Sequence, residues 1–306
     1  MALRSGAVLH FAKGHGTEND FVVLPDLDGV LDLTPSLVRA LCDRRGGIGA
    51  DGVLRVVPAA RVPGCEATSG AGWFMDYRNA DGSVAEMCGN GIRVYARYLV
   101  ESGLAGPGAL RLATRDGVKQ VRLAATGDVT VEMGSARALG ASTVVLGGRA
   151  CAGVHVDMGN PHLVCTVDDD LRSWDLSRPP AVDGATFPDG VNVEIVVRRG
   201  ERHVAMRVYE RGVGETRSCG TGACAVAVAT SASISSADPS ADTPADPRAE
   251  VPAEARWTVD VPGGRLTVDL ELGGGAVRLA GPAVIVATGV LDDGWLAATA
   301  SDAYLK

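Results

Sequence analysis

A repeat constrains this chain more than any other feature. Tyr77-Arg-Asn79 leads, nine residues later, to Cys88-Gly-Asn-Gly91, and Val208-Tyr-Glu210 leads, at the same distance, to Cys219-Gly-Thr-Gly222. Asn79 matches Glu210 and Cys88 matches Cys219, both at an offset of 131 residues. In each copy a strand-like segment runs into a Cys-Gly-x-Gly turn and then into a helical pattern. One such turn arises easily by chance; a match in spacing, turn and following helix does not. Two domains of like build are the economical reading, and 306 residues is long enough for both at ~100–200 residues each. Residues 1–132 plus 286–306 are expected to form the domain carrying Cys88, and residues 133–285 the domain carrying Cys219.

Composition then removes several function classes. A net charge of −8 argues against a nucleic-acid partner, which would need clustered Lys and Arg. No run approaches the ~18 apolar residues of a membrane span. The start, MALRSGAVLHFAKGHG, has no apolar region of secretory length, so export is not expected. Glycine, at 40 residues, is nearly double its usual share of ~7%. Seven cysteines cannot all pair as disulfides.

Short alternating runs set the texture. Val129–Met133, Val191–Ile195 and Trp257–Val261 each place apolar residues on one face at period two. Pro262-Gly-Gly separates Trp257–Val261 from Leu266–Leu272 and predicts a hairpin. Antiparallel β-structure is therefore expected to dominate. Helices are expected from Thr34-Pro35 through Leu41, with Thr34 as N-cap, and after Cys88, where Ile92, Tyr95, Ala96 and Leu99 share a face. A third follows Cys219, where Ala223–Ala229 is apolar all round and so must be buried. Residues 231–256, with four prolines and a surplus of Ala, Ser and Asp, predict a disordered surface insertion.

The two Cys-Gly-x-Gly helix starts define the chemistry. A helix N-terminus carries unpaired N–H groups and about half a positive charge, and glycines there let a ligand approach the backbone. A carboxylate binds such a place readily. A cysteine there is expected to have its thiolate stabilised, its pKa falling from ~8.5 into the range of ~3.5–7.5. Two such motifs brought opposite one another let one thiolate remove an amino acid's α-proton while the other thiol delivers a proton to the opposite face. That is stereoinversion without a cofactor. No lysine stands in a Schiff-base-like motif. Asn19, Asn79, Asn160, Asn192, Glu210 and Arg211 surround these motifs in sequence and suit a zwitterionic ligand.

Other readings are weaker. Cys42, Cys65, Cys151, Cys165 and Cys224 are expected to be packing residues. Cys219 and Cys224 have the spacing of half a zinc site, but no second pair at metal spacing exists, so no metal is expected. A Cys88–Cys219 redox pair is chemically available. Gly46-Gly-Ile-Gly-Ala-Asp-Gly52 lacks the lysine and spacing of a nucleotide loop.

At these residues the chain resembles diaminopimelate epimerase, a family of cofactor-independent amino-acid epimerases. The motifs are FAKGHGTENDFVVL at 11–24, CDRRGGIGADG at 42–52, YRNADGSVAEMCGNGIR at 77–93, MGNPHLV at 158–164, GVNVEI at 190–195 and RVYERGVGETRSCGTGACA at 207–225. The resemblance implies an α/β (α+β) fold of two pseudo-symmetric domains, each a mostly antiparallel, barrel-like sheet around a central helix. It implies interconversion of LL- and meso-diaminopimelate, with Cys88 and Cys219 as the two proton donors and acceptors. It places the reacting carboxylate on the backbone of Gly89-Asn90 and Gly220-Thr221. It assigns Asn19, Asn79, Asn160, Asn192, Glu210 and Arg211 to substrate binding, and His162 and Glu210 to tuning the thiols. It further implies a cytoplasmic homodimer serving lysine and peptidoglycan-precursor synthesis. An epimerase of the proline or hydroxyproline type shares the two-cysteine logic, but such relatives tend to carry His at the Asn90 position. Two departures stand out: Gly52 where many members have Gln, and Glu18 where Gly is common, so that the Asn19 loop is expected to follow a different turn.

Overall fold

A computed structural model describes residues 8–64, 70–124, 126–236, 254–271 and 275–300. The chain divides into two compact units, Met1–Val131 with Gly281–Lys306, and Glu132–Ala280. Its first part runs β1 (His10–Gly16), β2 (Asn19–Pro25), α1 (Pro35–Cys42), β3 (Gly52–Pro58), β4 (Trp73–Asn79), α2 (Gly89–Glu101), β5 (Gly108–Thr114), β6 (Gly117–Leu123) and β7 (Val129–Ser135). There follow β8 (Arg137–Leu146), β9 (Arg149–Asp157), β10 (Pro161–Thr166), β11 (Ala181–Val182), β12 (Asn192–Gly200), β13 (His203–Glu210), β14 (Gly214–Thr216) and α3 (Gly220–Ser236). The chain closes with β15 (Glu254–Val261), β16 (Gly264–Glu271), β17 (Ala276–Gly281), β18 (Val284–Val290) and α4 (Asp293–Ala300).

In the first unit the strands lie in the order β18-β1-β2-β3-β4-β5-β6-β7. All neighbours are antiparallel except β2–β3 and β4–β5, which are parallel. The second unit repeats this as β8-β9-β10-β12-β13-β15-β16-β17, again antiparallel except at β10–β12 and β13–β15. In both, the second parallel step is made by the helix that follows the repeated cysteine. Parallel neighbours need such a crossover, whereas the antiparallel pairs close by short turns.

The helix is the centre of each unit. α2 packs against β1, β2, β3, β4, β6 and β18, and α3 against β9, β10, β12, β15 and β16. A helix wrapped by strands on several sides must be apolar on several sides. Ala223, Cys224, Ala225, Val226 and Ala227 are all fully buried. Small side chains also let the strands approach the helix closely. Buried residues of α1, β2 and β3, among them Val22, Leu24, Val38, Leu41 and Val53, form a second cluster in the first unit that includes Leu296 of α4.

The helix from Thr34-Pro35 forms as expected, its Thr34 hydroxyl accepting from the Leu37 N–H at 3.3 Å. The hairpin also forms, β15 pairing with β16 from Glu254–Glu271 to Val261–Gly264. The expectation of a disordered stretch over 231–256 needs correction at both ends. α3 continues through 231–236, because the first proline of the stretch comes only at position 239, and β15 begins at Glu254. Positions 237–253 lie outside the described residues.

Candidate active site

Each cysteine caps its helix in the same way. Cys88 has extended backbone, φ −140°, and its sulfur accepts the Gly91 N–H at 3.4 Å. Cys219 accepts the Gly222 N–H, also at 3.4 Å. The first intrahelical bonds, Ile92 N–H to Cys88 O at 2.9 Å and Ala223 N–H to Cys219 O at 3.0 Å, leave Gly89, Asn90, Gly220 and Thr221 at the helix mouths. Their N–H groups precede the helical ladder and point outward along its axis.

In the first unit the chemistry gathers on Asn19, at the start of β2. Its Oδ1 accepts from the Cys88 thiol at 3.7 Å and from Asn90 Nδ2 at 3.2 Å, while its own amide donates to Asp51 at 2.8 Å. Asp51 is bridged to Asp20 by Arg44, and Asp20 also binds Lys13. Burial opposes ionisation of Asp20, but Arg44 and Lys13 outweigh it and hold its carboxyl well below the usual carboxylate range. Asn90 is fixed from its other end by Arg93, whose Nη2 donates to it at 3.0 Å. Asn79 closes β4 and donates to the Ser83 hydroxyl at 2.9 Å.

The turn before Asn19 is a two-residue hairpin connection, Gly16 pairing with Asn19. Thr17 and Glu18 occupy it at φ +49° and +62°, the left-handed pair that a type I′ turn requires. Glu18 thus takes the backbone conformation that glycine favours. At Gly52, a Cβ would meet the Arg78 carbonyl oxygen at 2.6 Å, so a side chain there needs the neighbouring strand to move.

In the second unit Cys219 is 6% exposed. Its sulfur lies 3.5 Å from the Thr221 hydroxyl. Burial pushes the thiol well up from its ordinary value, and the carboxylates of Glu210 and Glu194 push it further. The Thr221 and Gly222 hydrogen bonds lower it without reversing that outcome. The lowering expected from the helix start is therefore overcome at Cys219. Glu210 accepts from the Thr216 hydroxyl. Asn192 clamps its surroundings, donating to the Pro161 carbonyl at 3.0 Å and accepting from the Arg211 N–H at 2.9 Å. Arg211 itself is exposed. Asn160 faces His162 Nε2 at 3.0 Å, and His162 Nδ1 faces Glu194 Oε1 at 2.7 Å.

The strand register extends the sequence repeat. Asn79 pairs with Gly52, which pairs with Phe21; Tyr209 pairs with Val193, and Asn192 pairs with His162. Asn19 and Asn160 therefore hold equivalent positions two residues before Phe21 and His162, and Gly52 is the counterpart of Asn192. Sequence reading missed Asp51, Arg93, Glu194 and Thr216, which hold the site residues. All four stand inside the quoted motifs, and that was their only signal. Among the described residues no group of three or more His, Cys, Asp or Glu is placed to hold a metal ion.

Comparison with known proteins supplies the family. The family model described as diaminopimelate epimerase matches residues 11–139 and 154–286. A diaminopimelate epimerase of Streptomyces coelicolor is 56% identical over 292 residues, covering 94% of this chain and 96% of that relative. One of Thermobifida fusca is 51% identical, covering 92% and 97%. Among solved structures, a hydroxyproline epimerase of Agrobacterium vitis with bound trans-4-hydroxy-L-proline matches at a TM-score of 0.60 with 16% identity, covering 95% of each chain. A phenazine biosynthesis protein of the PhzF family from Bacillus anthracis matches at 0.62 with 14% identity, covering 94% and 99%. Those two likenesses concern the fold alone. The family model and the full-length relatives, taken with the duplicated cysteine-capped helices, show that this chain belongs to the diaminopimelate epimerase family.

Proposed function

We propose that the protein interconverts LL- and meso-diaminopimelate, one thiol taking the α-proton and the other returning a proton to the opposite face of the same carbon. The observation that carries this reading is the duplicated cap, two thiols each held at 3.4 Å by the N–H three residues on. The family membership of the chain supplies the substrate class.

The chemistry follows from the helix starts. An α-hydrogen beside a carboxylate is weakly acidic, and its removal loads negative charge onto the carboxylate oxygens. Backbone donors at Gly89-Asn90 and Gly220-Thr221 receive that charge, and each preorganised donor can contribute ~3–4 kcal/mol. Positioned proton transfer adds a factor of ~10²–10⁴. Cys219, buried beside Glu210 and Glu194, holds its proton and serves as the donor when Cys88 acts as base. Asn19, Asn79, Asn160, Asn192, Glu210 and Arg211 bind the rest of the zwitterion, and Glu210 acts on the Cys219 thiol as well. His162 takes its part in that tuning from beneath the helix. Every step uses groups of the chain itself, with neither pyridoxal phosphate nor metal.

The same reading carries a cytoplasmic enzyme of lysine and peptidoglycan-precursor synthesis that works as a homodimer. Exposed Val284, Val286 and Val290 on β18 support association of copies. No helix among the described residues is long and apolar enough to cross a membrane.

The test is α-proton exchange by reduced protein in D2O, offered LL-diaminopimelate, L-proline and L-lysine in turn. Deuterium is expected at the α-carbon of diaminopimelate only. Exchange confined to L-proline would transfer the chain to the proline-type reading, and exchange with none of the three would remove the epimerase reading.

A further inference from the structure

The two half-sites share their strand pattern but rest on different chemistry. By register, Phe21 and Leu54 hold in the first unit the places that His162 and Glu194 hold in the second. A Cβ on Gly91 would meet Phe21 Cζ and Leu54 Cδ2, both at 3.4 Å, whereas a Cβ on Gly222 would meet Glu194 Oε1 at 2.7 Å. All four side chains are 0% exposed. One helix start therefore stands on an apolar pair and its repeat on a buried acid and imidazole. Replacing a buried pair of this kind by apolar residues of similar volume is often neutral or stabilising, and in the other half of this molecule apolar residues stand at the same places. Glu194 Oε2, moreover, has no hydrogen-bond partner among the described residues, which is costly in a buried group. The pair is thus retained for what it does to its neighbours.

Its neighbours are Asn160 and the Cys219 helix start. His162 Nδ1 lies 2.7 Å from Glu194 Oε1, and Nε2 lies 3.0 Å from Asn160 Oδ1. Asn160 Oδ1 can only accept, so the Nε2 facing it carries an N–H, and a second proton is shared across the contact between Nδ1 and Glu194 Oε1. We propose that Glu194 is a positioning residue for the epimerisation. By binding Nδ1 it holds the ring in the orientation that aims the Nε2 N–H at the Asn160 oxygen and leaves the Asn160 NH2 as the group offered to substrate. Asn160 then presents a donor, suited to a carboxylate, rather than an acceptor suited to an ammonium. This rests on the proposed function in taking Asn160 as a substrate ligand. A carboxylate on the far ring nitrogen likewise orients metal-bound imidazoles, where its loss costs about 10–100-fold.

Two measurements on the full-length protein test it. The ring nitrogens of His162 are observed by NMR in histidine-labelled wild type, assigned by comparison with His162→Gln. A proton on Nε2 is expected, and a bare Nε2 would overturn the proposal whatever the activity. Separately, Glu194→Leu and the transplanted pair His162→Phe with Glu194→Leu are compared with wild type for melting and for kinetics with LL-diaminopimelate. The transplanted pair is expected to melt no lower than wild type while losing about 10–100-fold in kcat/KM. Glu194→Leu, which leaves Nδ1 without its carboxyl partner, is expected to raise KM by about tenfold with a far smaller change in kcat. A folded Glu194→Leu enzyme with the wild-type KM would overturn the assignment, as would a transplanted pair that keeps wild-type activity. A wild type inactive on diaminopimelate would instead strike the proposed function and leave the NMR result standing.

Discussion

Burial rather than the helix dipole governs the Cys219 thiol. Cys42, the last residue of α1, is 6% exposed, and burial pushes its thiol up to about 12. Cys219 is lifted the same way and then further by Glu210 and Glu194. The sign for stability follows. Below ~8.5 both folded and unfolded chains hold the Cys42 proton; above it only the unfolded chain releases it, so folding weakens as pH rises, by up to ~1.4 kcal/mol per unit. Denaturant unfolding at about pH 7.5 and about pH 9.5 should show a Cys42 share of about 1.4 kcal/mol. Cys42→Ala is expected to lose correspondingly less between the two pH values, and an identical loss in variant and wild type would contradict the argument. The residue types of the site were legible because Cys, Asn and Gly stood in spaced motifs. Its electrostatics were legible only in part: the resemblance named Glu210, but Glu194 comes from β12 and meets Cys219 only through the fold.

Elements were legible where one local rule decided them. Thr34-Pro35 capped a helix, and period-two runs became β7, β12 and β15. α4 escaped because it is short and carries no polar face; Asp292 caps it, donated to by the Trp295 N–H at 2.9 Å. The β1–β2 turn escaped for the opposite reason. Glu18 is a poor residue for a left-handed backbone, yet the pairing of Gly16 with Asn19 and the packing of both strands impose φ +62°. Tertiary structure here overrides local preference, at a cost. Glu18→Gly is therefore expected to raise stability by about 0.5–1 kcal/mol, the relief of a left-handed non-glycine residue less the entropy of a freer unfolded chain. Chemical denaturation checks it, and a destabilised variant would show that the Glu18 side chain matters more than its backbone.

At the scale of the molecule, the 131-residue offset pointed to two units of like build, and the strand register shows how far the likeness reaches. Eight strands recur in the same order, with parallel steps at the same two places and a cysteine-capped helix making the second. The offset alone did not show that Asn19 and Asn160 are counterparts, since the segments before β4 and β13 differ in length and only pairing aligns them. Nor did it show where the repeat was broken, with Phe21 and Leu54 in one unit and His162 and Glu194 in the other. That break leaves each thiol a distinct surrounding while the caps stay alike. A machine that takes a proton with one thiol and returns it with another needs both caps, and this is the central claim. Epimerisation of LL-diaminopimelate in D2O by Cys88→Ala and by Cys219→Ala, each confirmed as folded, tests it most directly. Each variant is expected to lose epimerisation by about 10⁴-fold or more, whereas near-wild-type epimerisation by either one would contradict a mechanism that requires two thiols.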